Sequence, residues 1–281
     1  MGMTHVLLPT DFSNTALNAA KFAFDLLGTQ GNKFTLVHTY LKPVFDNALL
    51  PGLGKIPERE ALNGLRRFER NCRHYAGKVV LAKKTSNRRL TDVLNEIHRS
   101  KGADLIVIGT QGEGNYGRVG TNTTAVVTGA TAPVISVPSE WRPVPVQRIM
   151  FAYDGETLDR STLTPMIELA RNKNAEIVLA HVRYLMPGAK ERAAKDRMED
   201  LFSDVKHSFV TVQGSDMTRT IDELATSGKI QLVAVVHRQV GFWKGLFHSS
   251  KAKKMALHAT LPLMVLPERP RGNEQPPLTL T

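Results

Sequence analysis

The two halves of the chain carry the same order of apolar and helix-forming segments. A short apolar run that ends in an aspartate opens each half, THVLLPTDFS at 4–13 and QRIMFAYDGE at 147–156. Both runs are followed by a helical stretch, a second apolar run that ends in a histidine, a longer polar helix and further strand-like runs. The offset of about 130–145 residues is much longer than a solenoid repeat and indicates two copies of one domain.

The alternation of strands and helices predicts the fold class. It is typical of α/β domains, in which parallel strands are joined by right-handed crossovers. Near-continuous apolar strands, such as LIVIG at 105–109, favour a sheet covered on both faces. We therefore expect one domain at 1–139 and a second at 147–267. Prolines in SEWRPVPV at 139–146 favour a linker, and 268–281 has the composition of a disordered tail.

A glycine-rich loop lies between a strand and a helix in the first half. The run Leu105–Ile108 stops at Gly109, and four more glycines follow by position 120. Thr121-Asn122-Thr123 and a helical run, Thr124–Ala130, come next. Glycines let the backbone approach a ligand, and the first N–H groups of a helix lack internal partners. Together these features predict an anion site, most often a phosphate site.

Three strand ends are expected to meet at one rim of the first sheet. Asp11 follows the first strand, Thr39 ends the second, and Gly109 ends the fourth. Ligands of open α/β sheets bind outside the carboxyl ends of the strands. Asp11 has two interpretations that are compatible with each other, a contact to a base or ribose and an N-cap of the following helix.

At these positions the chain resembles the universal stress proteins, in a tandem form that covers about residues 3–267. The resemblance is carried by VLLPTDFS at 6–13, LVHTY at 36–40 and DLIVIGTQG…GTNT…APVISVP between 104 and 138. It implies two tandem Rossmann-like (adenine nucleotide alpha hydrolase-like) domains, each with a mostly parallel five-stranded sheet flanked by helices. It also implies a stress-response sensor or regulator that binds an adenine nucleotide in domain one.

The resemblance extends to the site residues, with one departure. Nucleotide-binding members carry Gly-x2-Gly-x9-Gly-Ser/Thr. Here Gly109 and Gly112 fit the first half and Gly120-Thr121 the end, but the spacer 113–119 has seven residues. ATP is the expected ligand, with ADP or AMP as alternatives and Mg²⁺ as a candidate companion. The implied contacts are Pro9, Thr10, Asp11, Thr39, Ile108, Gly109, Gly112, Gly120, Thr121 and Asn122.

Domain two departs further from the pattern. Asp154 is kept, but His237 and Val240 stand where domain one has its first two loop glycines. We therefore expect a degenerate site and a structural role. By the resemblance, the domains would pair through their last strands, Val134–Val137 and Leu263–Leu266, with a homodimer as a further arrangement. Phe242, Trp243 and Phe247 are expected to pack between the domains, the alternative being an apolar patch for a partner.

The net charge is +11, and much of it falls in one region. Nine basic residues and a single acid lie between Arg66 and Arg89. We favour a solvated helix face over an attraction for polyanions, because no nucleic-acid motif accompanies the charge. Nucleic acid is accordingly not expected as a partner.

The composition of the chain and its lack of targeting motifs argue against membrane, secreted and disulfide-bonded classes of protein. No run approaches the roughly 18 apolar residues that span a bilayer, and the N-terminus lacks a signal-peptide pattern. A single cysteine, Cys72, excludes an internal disulfide and is expected to pack as a small apolar group. We expect a cytoplasmic protein without a membrane partner.

The sequence contains no recognisable catalytic set. The nine histidines lack metal-ligand spacing, and no Walker lysine, GxSxG elbow or kinase signature is present. A fast enzyme is not expected. Two alternatives to a nucleotide-binding regulator stay open: a slow ATPase or phosphotransfer protein that uses Asp11 and Arg118, and a scaffold or polyanion-binding module.

Overall fold

The fold is an α/β arrangement around one continuous sheet. The computed structural model describes residues 4–41, 56–110, 120–153, 157–183, 189–213, 229–237 and 261–268, together with 223 and 227. The strands are β1 (His5–Pro9), β2 (Lys33–Thr39), β3 (Val80–Ser86), β4 (Leu105–Gly109), β5 (Val134–Val137), β6 (Arg148–Tyr153), β7 (Glu176–Arg183), β8 (His207–Gln213), β9 (Leu232–His237) and β10 (Leu263–Pro267). The helices are α1 (Asn14–Leu27), α2 (Ile56–Ala76), α3 (Leu90–Lys101), α4 (Thr121–Gly129), α5 (Arg160–Lys173) and α6 (Ala189–Phe202).

The strand order shows that the two halves repeat one topology. The ten described strands follow the order β3-β2-β1-β4-β5-β10-β9-β6-β7-β8. Every pairing is parallel except that between β5 and β10, which is antiparallel with Ile135 opposite Met264. Each half is therefore a five-stranded parallel sheet, and the last strand of one half pairs with the last strand of the other. This is the pairing that the family resemblance implied.

Apolar side chains fill both faces of the sheet. Along β1, Val6 and Leu8 join one buried cluster, whereas Leu7 joins another. Successive side chains of a strand point to opposite faces, so a strand that is apolar at every position is buried on both sides. Helix α1 adds a stripe of small and aromatic residues, including Ala19, Phe22 and Ala23. The described helices include none long and apolar enough to cross a membrane.

The segment that links the halves is fixed to α1. Trp141 is buried and meets the ring of Phe22 edge-on at a centroid distance of 5.2 Å. Asn18 Nδ2 donates to the backbone carbonyls of Pro138, Ser139 and Trp141 at 3.4, 3.3 and 3.2 Å. The predicted linker is therefore docked on domain one over its first residues.

Two elements differ from their predicted extents. The fourth helix begins at Thr121 rather than Thr124, with Gly120 as its N-cap. Apolar periodicity could not reveal this start, because the first turn is polar. The apolar run at 78–82 predicts a strand that ends at Ala82, whereas strand β3 continues to Ser86. This strand lies at the edge of the sheet, where side chains can face water, so Lys83 and Lys84 can continue the strand. The predicted tail 268–281 lies outside the described residues except for Glu268.

Candidate functional site

A cavity of about 220 Å³ opens at the carboxyl ends of three neighbouring strands. Strands β1, β2 and β4 are adjacent and parallel, so their ends meet at one rim. The N-terminus of α4 closes the other side. The lining residues are Pro9, Thr10, Asp11, Ala16, Val37, His38, Thr39, Leu90, Ile108, Gly109, Gly120, Thr121, Asn122 and Thr123. Nine of the ten residues implied by the resemblance lie around this one cavity, and the tenth, Gly112, lies outside the described residues.

The turn between β1 and α1 is held by its own side chains. The Phe12 N–H donates to Thr10 Oγ1 at 2.9 Å, and the Ser13 N–H donates to Asp11 Oδ1 at 3.1 Å. Ser13 is the N-cap of α1, because its hydroxyl accepts the Ala16 N–H at 3.1 Å. Of the two interpretations of Asp11, the N-cap is therefore wrong: its carboxylate accepts a hydrogen bond within the turn and is solvent-exposed at the cavity.

Gly109 is required by packing at the end of β4. A Cβ at this position would lie 2.8 Å from Thr15 Cγ2 and 3.0 Å from the Thr15 carbonyl carbon and oxygen. Since a backbone neighbour cannot swing away as a side chain can, α1 and β4 approach this closely only through a glycine. The sequence suggested close approach to a ligand, whereas the structure gives a second reason for the same residue.

Helix α4 presents its N-terminus to the cavity without a side-chain cap. Gly120 is the N-cap residue and supplies no side-chain hydrogen bond to the first turn. Thr121 and Asn122 line the cavity and are exposed. The next residue, Thr123, is buried and donates its hydroxyl to the Gly109 carbonyl at 2.8 Å. This bond ties the start of α4 to the end of β4, so the uncapped N–H groups have a fixed direction.

His38, the histidine of the second apolar run, lies in the cavity wall. Its Nδ1 is 2.7 Å from the Thr10 carbonyl, so Nδ1 carries the hydrogen that the carbonyl accepts. The imidazole stacks on the ring of Phe12 with a centroid distance of 4.2 Å. Phe12 itself adopts a φ of 70°, a backbone conformation uncommon for a bulky residue. The cavity is also lined by Ala16, Val37, Leu90 and Thr123, which could not be predicted because their apolar or hydroxyl side chains form no distinctive motif.

The sequence profile of the Universal stress protein family matches residues 3–138 and again 145–267. The chain belongs to this family. Each match covers one of the two sheet halves, so the protein carries two family domains in tandem. Among the residues described, no group of three or more His, Cys, Asp or Glu side chains is arranged to hold a metal ion. No curated protein matches the sequence significantly.

Solved structures share the whole two-domain fold at low identity. A universal stress protein from Archaeoglobus fulgidus DSM 4304 superposes with a TM-score of 0.67 at 14% identity, covering 95% of this chain and 97% of that one. A protein of unknown function from Pseudomonas aeruginosa PAO1 gives 0.61 at 15%, with 95% and 93% covered. A putative universal stress protein from Pseudomonas aeruginosa UCBPP-PA14 gives 0.59 at 15%, with 95% and 94% covered.

The second family domain has a different residue at the end of its fourth strand. The strand order makes β9 the counterpart of β4. Gly109 pairs with Val137, the residue before Pro138, and Val236 pairs with Leu266, the residue before Pro267. Val236 therefore takes the position of Gly109, and the placing of His237 there from the sequence is wrong by one residue. Burial lowers the pKa of His237, and a hydrogen bond to the backbone of Thr128 in α4 opposes that shift. The side chain thus contacts domain one. Asp154, Val240, Phe242, Trp243 and Phe247 lie outside the described residues.

The single cysteine does not contribute to the cavity. Cys72 is fully buried on α2, and burial raises the pKa of its thiol to about 12. The reactive thiolate is therefore scarce at neutral pH. This agrees with the sequence interpretation of a packed apolar group.

Proposed function

We propose that this universal stress protein binds one adenine nucleotide per chain, in the cavity of domain one, and acts as a nucleotide-dependent regulator rather than a fast enzyme. The observation that carries the proposal is the convergence of strand ends and an uncapped helix N-terminus at one cavity. ATP is the proposed ligand, with ADP and AMP as shorter competitors.

The α4 side of the cavity suits phosphate groups. The Thr121 and Asn122 side chains add polar groups to the uncapped first turn. Backbone N–H groups and the positive end of the helix dipole favour an anion at this position. The spacer 113–119, which by the resemblance completes the phosphate end, lies outside the described residues.

The β1 and β2 side suits the nucleoside. Val37 and Ile108 supply apolar surface, Asp11 supplies a carboxylate acceptor and Thr39 supplies backbone polar groups at the strand end. An adenine needs an apolar slot and a few polar contacts at its edge, and a ribose needs an acceptor for its hydroxyls. The cavity, at about 220 Å³, is smaller than the ~300–1,000 Å³ usual for ligand pockets, and suits the nucleoside portion.

The proposal assigns domain two a structural role. Val236 takes the position that Gly109 holds in domain one, and the imidazole of the next residue, His237, is hydrogen-bonded to the backbone of Thr128 in α4 of the other domain. A bulky residue at this strand end leaves less room for a nucleotide, and the contact joins the two family domains. One site per chain is the consequence.

Two substitutions separate the nucleoside end from the phosphate end. Asp11→Asn is expected to weaken adenosine, AMP and ATP alike, because it alters a contact shared by all three. Thr121→Val is expected to weaken ATP most and adenosine least. The affinity of Asp11→Asn for all three ligands, and that of Thr121→Val for ATP, should fall about tenfold. This corresponds to ~1.4 kcal/mol for a hydrogen bond to a charged group. Displacement of a fluorescent ATP analogue from the purified protein measures all three ligands.

A matched control keeps the test specific. Asp92→Asn changes the same residue type at an exposed position in the first turn of α3 and should leave all affinities unchanged. If Asp11→Asn and Thr121→Val also leave every affinity unchanged, the cavity is not the nucleotide site.

A further inference from the structure

A second, larger opening lies on the other side of His38, the one lining residue that it shares with the proposed nucleotide site. It has a volume of about 690 Å³ and is called here the α2 groove. One wall is the exposed face of α2, and the other is formed by residues that follow β1 and end or follow β2. The lining residues are Phe12, His38, Tyr40, Pro57, Glu60, Ala61, Asn63, Arg66, Arg67 and Arg70.

The α2 wall carries a cluster of cations that are available to a ligand. Arg66, Arg67 and Arg70 are exposed, and Glu60 is the acidic residue among those that line the groove. Across the part of the chain that the structure describes, Arg67 and Arg70 have no carboxylate within ion-pair distance. Arg73, one turn further on, differs because it pairs with Glu69 at 3.0 Å.

The opposite wall presents rings. Phe12 and His38 stack with an interplanar angle of 28°, and half-buried Tyr40 lies next to them in the wall. The ring of Phe12 packs closely on α2 because Gly64 has no side chain: a Cβ at that position would lie 2.4 Å from Phe12 Cε2 and Cζ. The groove therefore has aromatic rings on one side and guanidinium groups on the other.

We propose that the α2 groove binds single-stranded nucleic acid. Proteins that hold single strands combine a cationic groove for the backbone with aromatic side chains that stack on bases. Guanidinium groups serve both purposes, because they pair with phosphate and stack on planar rings. A single strand, unlike a duplex, exposes base faces to such rings. The sequence alone favoured a solvated helix face; the groove, the ring wall and the unpaired arginines are what change that interpretation.

The overall charge supports the choice of an anionic chain. The protein carries +11, which draws polyanions toward any cationic groove and speeds their encounter. The proposal is independent of nucleotide binding in the cavity, since the two openings share His38 but no cation.

The test compares two matched double variants of the full chain. Arg67→Gln with Arg70→Gln removes two positive charges from the groove. Arg99→Gln with Lys101→Gln removes two exposed charges from the far end of α3. Fluorescence anisotropy of a labelled 12-nucleotide single-stranded RNA, measured between 50 and 200 mM salt, gives the affinity and its salt dependence.

We expect the groove variant to bind about tenfold more weakly and the α3 variant to change less than about twofold. The slope of log K against log salt should fall by about 1.4 for the groove variant, since each lost contact to a single strand removes ~0.7. Tyr40→Ala should weaken binding by about fivefold or more through lost stacking. Thermal unfolding of each variant shows whether it is folded.

Four outcomes would overturn the proposal. One is the absence of binding by the wild-type protein at 50 mM salt. Another is equal weakening by both double variants, which would mean that charge alone attracts the RNA. A third is displacement of the RNA by saturating ATP, which would mean that the RNA binds in the cavity and not in the α2 groove. The last is an unchanged affinity in Tyr40→Ala together with competition by inorganic polyphosphate that is as strong as competition by unlabelled RNA. This result would mean that the groove recognises only anions.

Discussion

At the scale of single residues, Gly109 shows how one position can have two physical causes. The sequence singled it out as part of a glycine-rich loop, and the structure adds the contact with the Thr15 backbone. Packing constraints of this kind depend on which helix lies against the strand. A local motif therefore identified the residue, but only the three-dimensional structure shows the neighbour that requires it.

Gly109→Ala is expected to destabilise the protein by about 1–3 kcal/mol, because the added methyl group overpacks a site bounded by backbone atoms. Urea denaturation measures the change in the free energy of unfolding. Gly129→Ala is the matched control. There the new Cβ would meet only the Thr91 methyl group, at 3.2 Å, and alanine suits a helix better than glycine. Equal destabilisation by both substitutions would contradict the packing argument.

His5 gives the fold a dependence on pH. Its Nε2 accepts from the Thr35 hydroxyl at 2.8 Å, and its Nδ1 faces the Lys101 carbonyl at 3.3 Å. Burial lowers the pKa of His5 below its usual 6.5. The unfolded chain thus binds a proton at this position more readily than the folded one. Stability should fall as the pH drops below about 6.5, toward the lower pKa of the folded state.

His5→Gln should flatten this dependence when the free energy of unfolding is measured between pH 7.5 and 5.5. The exposed His74→Gln should keep the wild-type slope. A residual slope is expected in His5→Gln, since burial also lowers the pKa of His237. A wild-type slope in His5→Gln would show that the imidazole does not carry the effect.

At the scale of elements, the sequence predicted most strands and helices because their apolar patterns differ so clearly. Strands such as β4 are buried at every position, while α2 buries one stripe that includes Leu65, Phe68 and Cys72. The polar start of α4 and the end of β3, which carries two lysines, were not predicted, because neither contributes to a pattern of apolar residues. The missed Thr123 belongs to the same polar start.

Thr123→Val is expected to cost about 1 kcal/mol in unfolding free energy, because it leaves the buried Gly109 carbonyl without its 2.8 Å donor at nearly constant volume. Nucleotide affinity should fall as well, since the bond fixes the direction of α4. Thr128→Val makes the same change on the same helix, where the partly buried hydroxyl donates to the Thr124 carbonyl one turn earlier. That control should be close to neutral. Equal effects on stability and affinity would contradict the role given to Thr123.

At the scale of the whole molecule, the pairing of β5 with β10 makes one sheet from two domains. The internal repeat predicted both domains, and the resemblance predicted which strands meet. The docking of the linker on α1 was not predicted, because its prolines indicated only that it is neither helix nor strand. Trp141 and Asn18 fix it through contacts between distant parts of the sequence.

The N-terminal half alone, residues 1–146, is expected to self-associate. Without β10, strand β5 would expose a row of unpaired backbone groups beside apolar side chains such as Ile135. A second copy can satisfy them by the same antiparallel pairing. Sedimentation equilibrium should therefore show a dimer for the half and a monomer for the whole chain. A monomeric half would show that β5 needs no partner strand.

The proposed single nucleotide site in domain one can be measured by titration calorimetry. The purified full chain, stripped of nucleotide, is titrated with ATP and Mg²⁺ and then with ADP and AMP. We expect one site per chain, with a loss of affinity in Thr121→Val that is larger for ATP than for AMP. Two equivalent sites would contradict the structural role of domain two. No heat, and no competition by any adenine nucleotide, would contradict the nucleotide site itself.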